Sequence, residues 1–267
     1  MREPWLIGGR RVDNPTRYQL TARCTKPKPM SVVAHASSPE NEVRIVAFDV
    51  DGTLVEHDRG LVIWQLLNRR YGGSADINVQ RYQAFKSGAI TYAQWVDLDI
   101  AGWQRQGATR DRIIEVIRKE LRLVADARQV TTELKRRGYM VVVVSGTLDI
   151  VLETLFPEHP FRHVFTNRIR FDDSGAIEGW TATAYDMAGK AEALRLVSRQ
   201  TQVPTSAIAF VGDHTNDLEA LALAGCPIAY DPKDDALKDV VRHVLPRGQL
   251  RRLLDLFPGP EHPLILS

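Results

Sequence analysis

Cysteine is scarce in this chain, and the two cysteines present do not suggest a disulfide framework. Cys24 and Cys226 lie far apart and fall in no metal-ligand spacing. Small secreted domains depend on several disulfides, whereas proteins of reducing compartments carry few. The cysteine content therefore favours a cytoplasmic protein.

Long hydrophobic runs and an excess of charge of one sign are also missing. The longest apolar runs, such as 140–144, fall far short of the roughly 20 residues that a membrane-spanning helix needs. The chain has 35 Lys and Arg against 33 Asp and Glu, a formal net charge of +2. A nucleic-acid-binding or membrane-surface protein usually has a clear basic excess. We therefore expect neither a nucleic-acid nor a membrane partner. The oligomeric state has no signature in the sequence.

Residues 1–42 differ in composition from the rest of the chain. Basic residues outnumber acidic ones there, no apolar periodicity runs through the segment, and it has no hydrophobic region of the kind that a secretory signal contains. We predict a disordered, basic N-terminal extension. An organelle transit peptide and a true start at Met30 stay open as alternatives. At the other end, 258–267 is predicted to be a C-terminal tail.

Short apolar runs alternate with helical patterns over most of the remaining chain. The runs 43–48, 140–144, 208–211 and 227–230 are typical of strands buried on both faces. Helices are predicted between them, with a short strand at 163–166, a hairpin around 172–175 and a short helix at 245–256. Alternation of strand and helix is typical of a parallel, doubly wound sheet. We predict an α/β core formed by 43–56 and 125–257.

A purely helical block, 57–124, interrupts this core. Apolar residues recur at three- and four-residue spacing over 61–71, Thr91 to Gln94 has the pattern of a capping box, and a further helix is predicted to start near Thr109. We predict a small helical cap inserted over the site. Its aromatic residues are expected to form the core of the cap rather than to line a ligand site: Tyr82, Phe85, Tyr92, Trp95 and Trp103.

Polar side chains follow three of the predicted strands, at the point where each strand ends. These motifs are Asp49-Val50-Asp51-Gly52-Thr53, Ser145-Gly146-Thr147 and the stretch 212–217, which carries Asp213, Asn216 and Asp217. A lysine, Lys190, opens a helix between the second and third motifs. The carboxyl ends of parallel strands meet at one edge of a sheet, where α/β proteins bind ligands. Clustered carboxylates repel one another unless a cation is bound, and hard oxygen ligands suit Mg²⁺.

This set of groups suits phosphoryl transfer. A carboxylate can attack a phosphoryl group and form an aspartyl-phosphate, while a metal ion and a lysine neutralise the charge of the phosphate. A second acid two residues further on can protonate the leaving oxygen and later deprotonate water. Each residue also has a structural alternative: Ser145 as a helix N-cap, Lys190 as a solvated helix residue and Asp217 as a partner of a helix dipole.

The four motifs, in this order and spacing, resemble the haloacid dehalogenase (HAD) superfamily, and within it the phosphoserine phosphatase-like group. The resemblance extends over about residues 43–250. It implies a Rossmann-like core with a small helical cap. It also implies a Mg²⁺-dependent phosphatase that hydrolyses a small phosphorylated metabolite through an aspartyl-phosphate.

The same resemblance implies roles for the catalytic and metal-binding residues. Asp49 is expected to be the nucleophile and a metal ligand. Asp51 is expected to be the general acid and base, with its backbone carbonyl also on the metal. Lys190 is expected to bridge the phosphate and Asp49. Asp213 is expected to bind the metal, and Asp217 to support the metal and the lysine.

The phosphate-binding residues implied by the resemblance are Ser145, the Gly146 amide, Lys190 and Asn216. Similar phosphoserine phosphatases hold the amino acid with an acid shortly after the first motif and an arginine deeper in the cap. Asp58 can take the place of that acid, and Asp99 stands where the arginine is expected. This favours a substrate without a carboxylate, although other cap arginines could take over: Arg69, Arg70, Arg81 and Arg105.

Two other functions stay open at this point. An aspartyl-phosphate can be captured by an acceptor alcohol, which would make the protein a phosphotransferase. A protein that kept the fold but lost turnover would be a phospho-ligand-binding protein.

Overall fold

The computed structural model describes residues 42–72, 76–187 and 189–260. Apart from residue 42, the predicted N-terminal extension lies outside the described residues, and so does 261–267 of the predicted tail.

Nine strands and nine α-helices are present in the described part of the chain. The strands are β1 (Ile45–Phe48), β2 (Val55–Glu56), β3 (Arg122–Leu123), β4 (Met140–Leu148), β5 (His163–Phe171), β6 (Ile177–Thr181), β7 (Ile208–Gly212), β8 (Cys226–Tyr230) and β9 (His243–Leu245). The helices are α1 (Ile63–Tyr71), α2 (Ile77–Lys86), α3 (Tyr92–Arg105), α4 (Arg110–Glu120), α5 (Ala127–Arg136), α6 (Asp149–Leu155), α7 (Lys190–Thr201), α8 (Leu218–Leu223) and α9 (Leu253–Leu256).

Seven of the strands form one sheet in the order β6-β5-β4-β1-β7-β8-β9. All neighbours pair in parallel except β5 and β6, which form an antiparallel hairpin. Connections between parallel strands need a crossover, and helices supply most of the crossovers here. The predicted parallel, doubly wound α/β fold is confirmed.

The central strand β1 is buried on both faces because helices cover the sheet on both sides. Val46 and Phe48 point into one hydrophobic cluster, whereas Ile45 and Ala47 point into the other. Helices α5, α6 and α9 pack on the first face, and α7 and α8 on the second. Side chains of a strand alternate between faces, so an uninterrupted apolar run matches this position. The end of this apolar run also marks the end of the strand and the start of the polar residues that follow it.

Three elements differ from the prediction. Strand β5 is a single strand that pairs first with β4 and then with β6, where the sequence predicted a separate short strand before the hairpin. Strand β4 continues through Ser145 and Gly146 with a shift of register. The region predicted as one short helix, 245–256, instead contains the end of β9, a 3₁₀ turn at Leu250–Arg252 and α9.

Helices α1 to α4 lie within the segment predicted as a cap, 57–124. The Thr91 capping box is present, with Gln94 N donating to Thr91 Oγ1 at 3.2 Å, and Thr109 caps α4. A short antiparallel ribbon of β2 and β3, which the sequence did not indicate, joins the two ends of the segment. The division of the chain into core and cap domains stays a prediction. In the described ranges, the longest helix has 14 residues, and no helix is long and apolar enough to cross a bilayer.

Helix α3 offers a matched test of its packing. Ile100 is fully buried, whereas Leu98 on the same helix is 44% exposed. We expect Ile100→Ala to lower the free energy of unfolding by about 2–5 kcal/mol, because it removes buried methyl groups and leaves a cavity. Leu98→Ala should change it by less than about 0.5 kcal/mol. Urea denaturation measures both, and equal losses would contradict the helix orientation.

Candidate active site

The first aspartate motif lies at the carboxyl end of the central strand. The Asp49 amide still donates to Val211 O at 2.9 Å, which continues the sheet by one residue, and the chain then turns in a tight loop around Val50. Gly52 has a φ of +92°, and a Cβ at this position would lie 2.1 Å from Asp213 Oδ2. Only glycine combines that conformation with so close an approach. The loop therefore brings the first and last motifs together.

Lys190 is the fully buried cation of the site. Its Nζ donates to Asp49 Oδ1 at 2.7 Å and to Asp217 Oδ1 at 2.6 Å. The ammonium thus links the strand end that carries Asp49 to the loop after β7. A buried charge is tolerated only when it is paired and hydrogen-bonded, and both conditions are met here.

Asp217 is held in place through both of its carboxylate oxygens. While Oδ1 accepts from Lys190, Oδ2 accepts from the backbone amides of Asp213 at 2.9 Å and His214 at 3.0 Å. Oxygens of Asp49, Asp213 and Asp217 all lie within 4.8 Å of one another. Two of these buried carboxylates therefore bind the ammonium group directly, and the third, Asp213, lies beside them.

Burial and mutual repulsion raise the pKa of three carboxyl groups of the site, those of Asp49, Asp51 and Asp213. Burial, opposed by Lys190, raises the pKa of Asp49 to about 6. Burial and the charge of Asp49 raise the pKa of Asp51 to about 7, and the pKa of Asp213 is well above its usual range for the same reasons. Burial alone would lower the pKa of Lys190, but Asp217 and Asp49 outweigh it and raise this pKa. A cation in the cluster would relieve the repulsion that raises the carboxyl pKa values.

The Ser145-Gly146 part of β4 forms a second wall of the site. Ser145 is buried, and its Oγ accepts from the Thr147 amide at 3.2 Å. The Gly146 carbonyl accepts from Trp64 Nε1 and from Asn167 Nδ2, each at 2.7 Å. This part of β4 is thus held between helix α1 and strand β5, and Ser145 and Gly146 both line the cavity.

One cavity of about 700 Å³ opens above these motifs. It is lined by most of the residues that the sequence analysis assigned to the site: Asp49, Asp51, Asp58, Asp99, Ser145, Gly146, Asp213 and Asn216. Lys190 and Asp217 are fully buried beneath it. Asp58 is exposed and pairs with Arg122, whereas Asp99 is 1% exposed and pairs with Arg81. The structure thus brings the four motifs together.

The aromatic residues of the cap segment are divided between two environments. Trp103 is fully buried, as predicted for a cap core residue. Tyr82, Tyr92 and Trp95, by contrast, line the cavity, so for these three the expectation of a purely internal role was wrong. Helical spacing shows which face of a helix is apolar but not whether that face meets a core or a cavity.

Two polar residues of the site were missed as contributors. Asp186 lies against Gly146, where a Cβ would come within 1.9 Å of Asp186 Oδ2, and it accepts from Asn216 Nδ2 at 3.3 Å. Asn167 donates to Tyr92 Oη at 2.8 Å as well as to Gly146. Asp186 stands four residues before Lys190, and this spacing was the one local signal that could have found it.

Comparison with known proteins agrees with this geometry. A model of the haloacid dehalogenase-like hydrolases matches residues 43–225, which hold all four motifs. The chain therefore belongs to the haloacid dehalogenase-like hydrolase family, and the predicted resemblance is confirmed.

Within that family, the chain is similar to phosphoserine phosphatases. It is 31% identical to one from Mycobacterium tuberculosis, over 80% of this chain and 50% of that protein. It is 30% identical to one from Streptomyces coelicolor, over 71% of this chain and 44% of that protein. The chain thus spans about half the length of these two relatives. The crystal structure of a phosphoserine phosphatase in apo form has the same fold, with a TM-score of 0.62 at 22% identity over 80% of this chain and 98% of that one.

Removal of the buried ammonium should expose the repulsion among the carboxylates. We expect Lys190→Met to lower the free energy of unfolding by about 3–5 kcal/mol in EDTA at pH 7, because buried charges lose their partner. Lys238→Met removes an exposed lysine that pairs with Asp235 and should leave stability close to that of the parent. Urea denaturation compares the two variants. Equal stability would mean that Lys190 does not hold the cluster together.

Proposed function

We propose that this protein is a Mg²⁺-dependent phosphatase that hydrolyses a small phosphomonoester through an aspartyl-phosphate on Asp49. The observation that carries the proposal is the contact of Lys190 with Asp49 beside two further buried carboxylates, at the edge of a parallel sheet and beneath a cavity. Membership of a hydrolase family and the similarity to phosphoserine phosphatases support it.

The chemistry of the donor set fits Mg²⁺. This ion prefers hard oxygen ligands, and the cluster offers carboxylate oxygens that one ammonium leaves only partly neutralised. We assign Asp49, Asp213 and the carbonyl of Asp51 as ligands. Asp217 supports the site from behind, since both of its oxygens are already engaged. When bound, Mg²⁺ would neutralise charge on the phosphate and so lower the repulsion against an attacking carboxylate.

In the proposed first step, a carboxylate oxygen of Asp49 attacks phosphorus while the bond from phosphorus to the ester oxygen breaks. Asp51 gives its proton to the departing alcohol. In the second step Asp51 takes a proton from water, the resulting hydroxide attacks the phosphorus, and Asp49 is released together with inorganic phosphate. Nucleophilic catalysis divides one difficult displacement into two, and the same acid serves both.

Four groups are proposed to hold the phosphate during both steps. These are Ser145, the Gly146 amide, Lys190 and Asn216. The Ser145-Gly146 part of β4 is held by Trp64 and Asn167, and Asn216 is oriented by Asp186. Groups that are oriented before the reaction stabilise developing charge without reorganising during it.

The cavity of about 700 Å³ suits a small phosphorylated metabolite rather than a macromolecule. The cytoplasmic location stays a prediction.

The nucleophile is tested by Asp49→Asn. An amide cannot attack phosphorus effectively, so we expect kcat for p-nitrophenyl phosphate to fall at least about a thousandfold. The shape of the side chain is kept, and thermal unfolding should show an intact fold. Asp235→Asn changes an exposed aspartate in the same way and should retain full activity. Substantial turnover by Asp49→Asn would remove Asp49 from the role of nucleophile. Release of p-nitrophenol by the parent protein together with a new phosphoester of an added alcohol, in place of inorganic phosphate, would indicate a phosphotransferase.

Metal binding is tested without turnover. Mg²⁺ should raise the unfolding temperature of the EDTA-treated protein, because a ligand that binds the folded state stabilises it by about 2.7 kcal/mol at 100 times its Kd. Asp213→Asn should lose most of this rise, whereas Asp235→Asn should keep it. An equal rise in both variants would place the binding of Mg²⁺ outside the cluster.

A further inference from the structure

The charged side chains on the wall of the cavity opposite the aspartate motifs limit which substrates can bind. Besides Asp49, Asp51 and Asp213, five carboxyl side chains line the cavity together with three cationic side chains, and the five are those of Glu56, Asp58, Asp99, Asp186 and Asp231. Of these, Glu56, Asp58, Asp99 and Asp231 are each in an ion pair. Two of these cations are already paired, Lys233 with Asp231 and Arg247 with Glu56. Among the described residues, Arg59 is the cavity-lining cation without an ion pair, and it is exposed. In the described part of the chain, a leaving group with its own carboxylate would therefore meet no buried, unpaired cation on this wall.

Asp99, with 1% of its surface exposed, is the most buried carboxylate of this wall. Its Oδ1 pairs with Arg81 and accepts from Asn68 Nδ2 at 2.9 Å. Its Oδ2 is buried and has no hydrogen-bond partner in the described part of the chain. A buried acceptor without a donor costs free energy, so a ligand that brings a donor is favoured here. Because Arg81 is engaged by Asp99, it is not free to hold a carboxylate of the substrate.

Aromatic rings complete the same wall. Trp95 lies with its ring centroid 6.1 Å from that of Tyr82 and 6.4 Å from that of Tyr92, and the ring planes are inclined by 59° and 71°. All three residues line the cavity together with Asp99. Inclined aromatic faces next to a carboxylate form the kind of pocket that binds ammonium groups, through attraction of the cation to the electron-rich faces.

We infer that the alcohol part of the substrate carries a positive charge, so that the preferred substrates are phosphomonoesters of amino alcohols or quaternary ammonium alcohols. This inference rests on the proposed function, since it names the substrate class of the same site. The phosphate occupies the floor formed by the four motifs, and the ammonium group lies against Asp99 and the three rings.

The test is a series of esters that differ in the charge at one end. 2-Aminoethyl phosphate is cationic there, 2-hydroxyethyl phosphate is neutral and phosphoglycolate is anionic, while phosphoserine carries both an ammonium and a carboxylate group. We expect kcat/KM to fall in the order cationic, neutral, anionic. The first and last should differ by about tenfold, since a cation–π contact at a partly buried site supplies a factor of that order.

Two matched variants of helix α3 locate the source of the preference. Asp99→Asn should bring the ratio of kcat/KM for the cationic ester to that for the neutral ester close to one. Asp97, two residues away and exposed, accepts from Trp180 Nε1 instead, and Asp97→Asn should keep the ratio of the parent. The ratio is taken within each variant, so a partial loss of folded protein does not affect it. Should Asp99→Asn fail to fold, Trp95→Leu provides the same comparison.

Three results would overturn the inference. One is a preference for phosphoserine or phosphoglycolate that Arg59→Ala abolishes, which would assign a substrate carboxylate to Arg59. Another is an equal kcat/KM for all esters of the series. A third is a ratio of kcat/KM for the cationic ester to that for the neutral ester that stays unchanged in both Asp99→Asn and Trp95→Leu. The proposed function is judged separately by p-nitrophenyl phosphate, which has no charged group on its alcohol. Hydrolysis of that ester that depends on Asp49 would keep the proposed function even if the charge series fails.

Discussion

The whole site depends on one buried ammonium group. Lys190 Nζ lies between Asp49 and Asp217, and without it the carboxylates at the end of β1 and after β7 would repel one another. Asp217 links the lysine to the backbone of the loop after β7, because it also accepts hydrogen bonds from the amides of Asp213 and His214. The location of Lys190 at the first position of α7 therefore fixes both the charge balance and the geometry of the cluster.

The elements that the sequence predicted well are those with local signals. An apolar run followed by Asp49 and Asp51 indicates both a buried strand and its end, and Thr91 caps its helix through residues three positions away. Strand β9 and the ribbon of β2 and β3 were not predicted, because strands of two or three residues carry no measurable periodicity. The contact of Asp186 with Gly146 joins residues 40 positions apart, and only the folded chain brings them together.

The two walls of the cavity were predictable to different degrees. One wall consists of the motifs of Asp49, Ser145 and Asp213, which lie toward the carboxyl ends of parallel strands, so topology alone brings these motifs together. The opposite wall depends on which faces of α2 and α3 turn inward. Helical periodicity groups Tyr82, Tyr92 and Trp95 on an apolar surface but does not distinguish packing from ligand contact. Asp99 was noticed only because it stands where similar proteins have an arginine, and its pairing with Arg81 required the structure.

Helix α2 has no buried residue, although it supplies Asn78, Val79 and Tyr82 to the cavity wall. Its polar links to its neighbours include the hydrogen bond from Asn68 Nδ2 to Asn78 Oδ1 at 2.7 Å and the pair of Arg81 with Asp99. Displacing it exposes little apolar surface, whereas lifting α1, α3 or α4 would break a hydrophobic cluster that continues into the sheet. Local opening follows the least costly route. Among the four helices of the segment 57–124, α2 is therefore the one whose outward movement would uncover the cavity at the smallest loss of apolar burial.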